Sequence, residues 1–257
     1  MAHMTLRSAR EGRVLRLTLA RTEKRNALNL DLCRALVDAL NDANSDARIG
    51  AVLLDAEGKV YCAGMDLEDA TAADAASRTK IHEQLFTFHT WMRKPVVTAV
   101  QGPALAGGLG LVANAHLAVA AQGCTLGLTE VRLGLWPFVV YRSIVAAAGP
   151  RRALEISLTG RIFGSNEARE YGLVHEVVPP IELDDRATAL AELLAGWSPE
   201  TIHRGLEFVQ TSGEMGHEDA GRVAAMMRAE NFNSPDFAEG VRAFQEKRPP
   251  VWPSIPR

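Results

Sequence analysis

An alternating α/β chain closed by a helical tail is the architecture that three observations predict. Short apolar runs of strand length recur at residues 14–19, 50–55, 96–100 and 117–121, with β-branched residues prominent in them. Helically spaced stretches lie between these runs, as units of strand and helix require. Beyond residue 181 the strand-like runs stop and four helical patterns follow, over 184–195, 199–210, 218–232 and 237–245.

Taken in order, the run at 14–19 alternates as a strand does. Asn29 is placed to cap a helix over 30–44 whose apolar face carries Leu32, Leu36, Ala39 and Leu40. The charged loop between them, 20–28, reads by itself as solvated chain. After the strand at 50–55 and a turn at 56–59, Asp66 can cap a short helix at 67–73, where an acid suits the helix dipole. The alanine-rich stretch 69–78 reads as a mobile cover, and 79–92 as one helix, with His82 and His89 at ordinary packing or surface positions. Pro150 and Gly160 bracket a further helix. A short helix at 166–172 ends on glycine, and a strand at 173–178 stops at Pro179-Pro180.

The most informative stretch is 94–130. The apolar run at 96–100 turns through Gln101-Gly102-Pro103 into the cluster Ala106-Gly107-Gly108-Leu109-Gly110, where an apolar helix begins. Glycines at a loop-to-helix transition let the backbone approach a ligand, and the first N–H groups of a helix favour negative charge. No GxxxxGK[ST] is present, which argues against a P-loop. Residues 108–113 form a GxGxxA, but it stands seven residues past its strand, and the following strand ends in Gln122-Gly123 rather than an acid. Both the dinucleotide reading and a bland reading, close helix packing alone, stay open on the stretch itself.

Composition narrows the field. The 257 residues are 47% hydrophobic, enough for one large core, and 28 basic against 31 acidic residues give a net charge of −3. Neither nucleic acid nor a membrane surface is implied as a partner. Cys33, Cys62 and Cys124 are odd in number and lack ligand spacing, so reduced thiols, a cytoplasmic setting and no metal are expected. No apolar run reaches the roughly 18 residues of a membrane span, and no signal-peptide core is evident.

Four segments together resemble the crotonase family, the enoyl-CoA hydratases and isomerases, over nearly the whole chain. They are EKRNALN at 23–29, YCAGMDL at 61–67, QGPALAGGLG at 101–110, and TE at 129–130 backed by LTGR at 158–161 and AREYGLVHEVVP at 168–179. The resemblance implies a spiral of ββα units with two roughly perpendicular sheets, a crotonase core over 1–195 and a C-terminal helical trimerisation region over 196–257. It also implies a homotrimer or dimer of trimers, and a coenzyme A thioester as substrate with no separate cofactor.

Residue by residue, the resemblance makes the backbone N–H groups of Met65 and Gly107 the oxyanion donors and Glu130 the general base. It sets Arg25, Ala27, Ala63, Asp66, Leu67, Gly108 and Lys247 along the coenzyme A and acyl group, while the aromatic and apolar stretch 134–141, with Trp136, reads equally as a lining of the acyl end or as core. The closing FQEKRP at 244–249 carries Lys247, which otherwise reads as a solvated basic end. Glu130 without its family register reads as a solvated strand-end residue. The chain departs from the hydratases at Gly110, where they carry their first catalytic glutamate, and at His116, where the family usually has aspartate.

One carboxylate suffices to move a proton between two carbons of one substrate, whereas adding water is work normally shared by two. The expected reaction is therefore Δ3-to-Δ2 enoyl-CoA isomerisation, with hydration or another thioester enolate reaction as alternatives. A catalytically silent coenzyme A- or RNA-binding relative is the alternative of another class.

Overall fold

The computed structural model describes residues 5–70 and 75–256. A six-stranded sheet runs through the molecule in the order β1-β2-β3-β4-β6-β9, and a three-stranded sheet is ordered β5-β7-β8. The strands of the large sheet are β1 (Leu6–Glu11), β2 (Val14–Leu19), β3 (Ala51–Ala56), β4 (Val96–Val100), β6 (Leu117–Ala121) and β9 (Glu176–Val178). Only β1 and β2 pair antiparallel; the rest are parallel. The small sheet is made of β5 (Ala104–Leu105), β7 (Thr125–Gly127) and β8 (Ile162–Gly164).

The central strands are mostly apolar because both faces of the sheet are covered, with Asp55 and Thr98 as buried polar exceptions. On one face Leu17, Leu19, Val52, Leu54, Val100 and Ala120 join the core beneath α1 (Leu30–Ser45). On the other, Ala51, Leu53, Val97, Ala99 and Val119 pack on α8 (Leu183–Ala195), whose Ala187, Ala191 and Ala195 recur at helical spacing. Small residues let this helix come close: a Cβ on Gly50 would lie 2.7 Å from the Ala195 carbonyl oxygen.

Between strands lie α2 (Leu67–Ala70), α3 (Ala75–Leu85), α4 (Gly107–Asn114), α5 (Phe138–Ala148), α6 (Pro150–Thr159) and α7 (Ser165–Glu170). The tail is α9 (Pro199–Ser212), α10 (His217–Phe232) and α11 (Pro235–Glu246). Asn29 caps α1 as expected, its side chain accepting from the Leu32 N–H at 3.0 Å.

Several elements differ from the sequence reading. β1 is nearly all polar and exposed, an edge strand held by a two-residue turn at Gly12-Arg13, so it lacks the apolar run that marks the others. The expected helix over 79–92 breaks after Leu85: Thr87 turns its hydroxyl back on the Glu83 carbonyl at 2.7 Å, and a 3-10 turn, Phe88–Thr90, follows. The expected strand over 173–178 shortens to Glu176–Val178, because the Leu173 and Val174 N–H groups are taken by the Ala168 carbonyl. The expected cover at 69–78 falls partly on 71–74, outside the described residues.

Candidate active site

The charged loop after β2 is fixed at Asn26, which is fully buried and left-handed at φ 54°. Its side-chain amide donates to the Glu57 and Val60 carbonyls at 2.9 and 2.8 Å, and its oxygen accepts from the Arg21 N–H at 2.9 Å. Asparagine tolerates this conformation better than most residues. The loop carries Arg25, also left-handed, whose carbonyl accepts from the Ala63 N–H at 3.1 Å. Loop 23–29 and segment 61–67 are thus joined side by side.

Segment 61–67 is held from both sides. Leu28 donates to the Gly64 carbonyl at 2.8 Å and accepts from the Asp66 N–H at 3.0 Å, so Met65 is the residue between two anchored neighbours. Cys62 accepts from the Leu105 N–H at 2.9 Å, tying the segment to the chain that enters the glycine cluster. Gly64 has φ +95°, and a Cβ there would stand 2.7 Å from the Ala106 Cβ and 3.4 Å from the Gly107 nitrogen. Donor loops 42 residues apart in sequence therefore touch.

Gly107 is the first residue of α4, so its N–H has no intrahelical acceptor. Neither Gly107 nor Met65 donates to a backbone acceptor among the described residues. Both line one cavity of about 330 Å³, and Glu130 lines it with them. Glu130 opens the 3-10 turn Glu130–Leu133 and is 9% exposed. Its Oε2 is buried without a hydrogen-bond partner among the described residues. Burial pushes the carboxyl pKa up, and a hydrogen bond from the residue's own N–H opposes that only in part. Arg132 is exposed.

A carboxylate with a raised pKa beside free N–H donors can take a proton from carbon while the donors hold the resulting oxyanion.

The opposite wall is apolar. A Cβ on Gly110 would overlap Val140 Cγ1 and stand 3.0 Å from the Phe86 ring. A side chain at position 110 would require Val140 to shift and Phe86 to give way.

A second cavity of about 340 Å³ adjoins the first, sharing Met65, Ala106, Glu130 and Leu135 with it. Arg25, Ala27, Ala63, Asp66 and Leu67 line this second cavity, together with Lys24. Trp136 lines the first.

Two predicted site residues line neither cavity. Gly108 is turned to the Cys62 carbonyl, which a Cβ would overlap, so its glycine serves close packing rather than ligand contact. Lys247 sits at the end of α11 in a left-handed cap and lines neither cavity within one chain. Asp66 does cap α2, accepting from the Glu68 N–H at 3.1 Å, and its other oxygen binds Arg21 at 2.6 Å.

The sequence reading missed that Arg21 pairing, and it passed over His82, which lines the cavity with Glu130. The His116 Nδ1 accepts from the Val96 N–H at 3.0 Å, and burial lowers its pKa to about 4, so it is a neutral acceptor holding a strand end. Among the described residues no three His, Cys, Asp or Glu side chains converge as a metal site would need.

A family model described as enoyl-CoA hydratase/isomerase matches residues 9–254. The chain belongs to the enoyl-CoA hydratase/isomerase family. Among its relatives, a Thermus thermophilus protein provisionally named an enoyl-CoA hydratase is 36% identical over 250 residues, covering 93% of this chain and 97% of the relative. The Mycobacterium tuberculosis enoyl-CoA hydratase EchA19 is 30% identical, covering 94% and 93%. A crystal structure of a Mycobacterium smegmatis enoyl-CoA hydratase superposes with a TM-score of 0.91 at 30% identity, covering 97% of this chain and 99% of that one. The fold is thus that of the crotonases, with helices C-terminal to the sheets.

Proposed function

We propose that the protein isomerises Δ3-enoyl-CoA thioesters to the Δ2 form, with Glu130 as the sole proton carrier. The observation that supports this reading is the pairing of a buried Glu130, whose Oε2 has no hydrogen-bond partner among the described residues, with a position 110 where a Cβ would run into Val140 and Phe86, both of which line the same cavity.

In this reading coenzyme A lies along the cavity lined by Lys24, Arg25, Ala27, Ala63 and Leu67, where Arg25 is the cation offered to its phosphates, Lys24 being paired with Glu68. The thioester carbonyl sits at the junction of the two cavities, against the Met65 and Gly107 N–H groups. Glu130 removes a proton from C2, and the electron pair spreads through C1 onto the thioester oxygen and through C3 to C4. The two N–H groups stabilise that dienolate more than the neutral ester, which is the differential binding that lowers a barrier. Glu130 then returns the proton to C4, the double bond closes at C2=C3, and the carboxylate is regenerated.

Hydration is the second reading, favoured by the names of the relatives. Incubating the protein with 3-enoyl- and 2-enoyl-CoA in deuterated water separates the two. Conversion of the 3-enoyl ester, lost in Glu130→Gln while coenzyme A ester binding persists, is the expected result. Hydration of the 2-enoyl ester at a comparable rate would overturn isomerisation as the main activity, and full activity of Glu130→Gln would overturn the base.

The same reading takes the functional unit to be a homotrimer or a dimer of trimers. Phe237, Val241 and Phe244 of α11 are exposed, Phe244 to 86%, which supports an apolar tail covered by another copy. Lys247 would then reach coenzyme A across a subunit boundary. Light scattering that gave a monomer mass would exclude this.

A further inference from the structure

The direction of the Met65 N–H is set by the other side of its own peptide plane. A trans peptide points its C=O and its N–H in opposite directions. In the plane joining Gly64 to Met65, the Gly64 carbonyl accepts from the Leu28 N–H at 2.8 Å, so the Met65 N–H is turned away from Leu28. The Leu28 N–H is fixed in the same way, because the carbonyl of its plane, that of Ala27, accepts from the Arg21 guanidinium at 3.0 Å. Arg21, two peptide planes and the Met65 N–H thus form one head-to-tail chain of hydrogen bonds, with a cation at one end and the cavity at the other.

Arg21 is itself held firmly. Its backbone N–H donates to the Asn26 side chain and its carbonyl accepts from the Asn26 N–H, both at 2.9 Å. The Nη1 that serves Ala27 also donates to Asp66 Oδ2 at 2.6 Å, and the two side chains are only 13% and 7% exposed. Burial pushes the Asp66 carboxyl up, but the hydrogen bonds from Arg21 and from the Glu68 N–H bring it below its ordinary value. Glu130 is shifted the other way, so the Arg21–Asp66 pair is ionised wherever Glu130 is.

Resting on the acyl-CoA reading above, we propose that Arg21 is a positioning residue for the oxyanion, aiming and polarising the Met65 N–H through Ala27 and Gly64 without touching substrate. Each hydrogen bond in such a chain polarises the next, the more so where the surroundings are nearly dry. Asp66 supplies the counter-charge that keeps the guanidinium in place. The Gly107 donor is aimed differently, by its helix: the Ala106 carbonyl of its plane accepts from the Gly110 N–H at 3.1 Å. The inference serves isomerisation and hydration alike, since both pass charge to the thioester oxygen.

The test reads the thioester carbonyl directly. Infrared difference spectra of the whole protein with a saturated acyl-CoA, isotopically labelled at the carbonyl carbon, should show the bound C=O stretch below that of the free ester. In Arg21→Met that lowering should shrink. Its kcat for whichever enoyl-CoA ester the wild type converts should fall about tenfold, less than for outright loss of a donor, with KM little changed. Arg21→Lys, which keeps a donating cation, should recover part of both. A side chain that only stabilised the loop would leave the stretch of the bound ester where it is.

If Arg21→Met does not fold, Arg21→Gln, which keeps a donor for the Ala27 carbonyl without the charge, is expected to show the same two changes. An unmoved stretch in either folded variant, whatever happens to kcat, would overturn the role of Arg21 alone. A wild-type protein that binds the ester with no lowering would overturn the Met65 donor as well, and failure of every coenzyme A ester to bind would overturn the acyl-CoA reading with it.

Discussion

The two walls of the cavity beside Gly107 have opposite chemistry. One wall presents Glu130, a carboxyl whose burial raises its pKa and whose Oε2 has no partner among the described residues. The other presents Val140 from α5 and Phe86 from just after α3, and behind it these two side chains take the space a Cβ on Gly110 would need. Loss of a catalytic side chain by point substitution would leave a hole. Here the hole is filled, so the apolar wall is part of how the core packs, and the single carboxylate is a property of the whole cavity.

The strongest way to break the comparison is to remove the one carboxylate. Glu130→Gln is expected to lower kcat by about 10³-fold, the range for loss of a positioned general base, with little change in coenzyme A ester affinity. The pH dependence follows from the direction of the shift. The native state holds the Glu130 proton more tightly than the unfolded chain does, so stability falls as pH rises from the ordinary carboxylate range through the raised pKa, and is level above it. Activity rises over that same window as the base ionises. Urea melts across this range should show the fall in the wild type and lose that component in Glu130→Gln.

Next in size is damage to the donors while both walls are left alone. In Gly64→Ala the new Cβ would press on Ala106, and the residue would be held at a φ unfavourable to alanine, so the Met65 and Gly107 N–H groups should separate. Loss of one such donor costs about 10²-fold in kcat in comparable sites, and steady-state kinetics would show the fall without loss of Glu130.

The comparison sharpens if the apolar wall is rebuilt. Gly110→Glu alone should destabilise the protein by about 1–3 kcal/mol through overpacking and produce no hydratase. Adding Val140→Gly makes room, and the double variant should recover part of that stability and gain measurable hydration of 2-enoyl-CoA. A stable Gly110→Glu single variant that hydrates would show that the wall yields and that closure at 110 has no bearing on the chemistry.

How much of this was legible in the sequence depends on where the cause lies. The buried parallel strands show as apolar runs because burial on two faces demands them, and the cap at Asn29 shows because its signal is local. β5, β7 and β8 are two or three residues long and carry no pattern that a window could detect. Gly110 is visible as a missing glutamate, but Val140 filling its place is 30 residues away and has no sequence signature. The family register could single out Glu130, whereas His82 looked like one of two unremarkable histidines, since only the folded cavity gives it apolar neighbours and sets it in the same lining as Glu130. Gly108 looked like its neighbour Gly107, and the difference between packing and ligand approach depends on which atom each faces.

The smallest effect concerns the hinge between the two walls. Ala106 precedes α4 with φ 51° and ψ −119°, a conformation that glycine adopts freely and alanine does not. Its N–H is nonetheless bound to the Gly127 carbonyl at 2.8 Å, just ahead of Glu130, while its Cβ faces Gly64. Strain of this kind is worth about 1–3 kcal/mol, and the entropy of a new glycine takes back about 0.5–1 kcal/mol. Ala106→Gly is therefore expected to stabilise the protein by about 1 kcal/mol in chemical denaturation. If the strained alanine serves to hold the Gly107 N–H rigidly toward the cavity, the same variant should lose activity while gaining stability. Unchanged kcat with raised stability would show that Gly64 and the Gly127 carbonyl suffice to aim the donor.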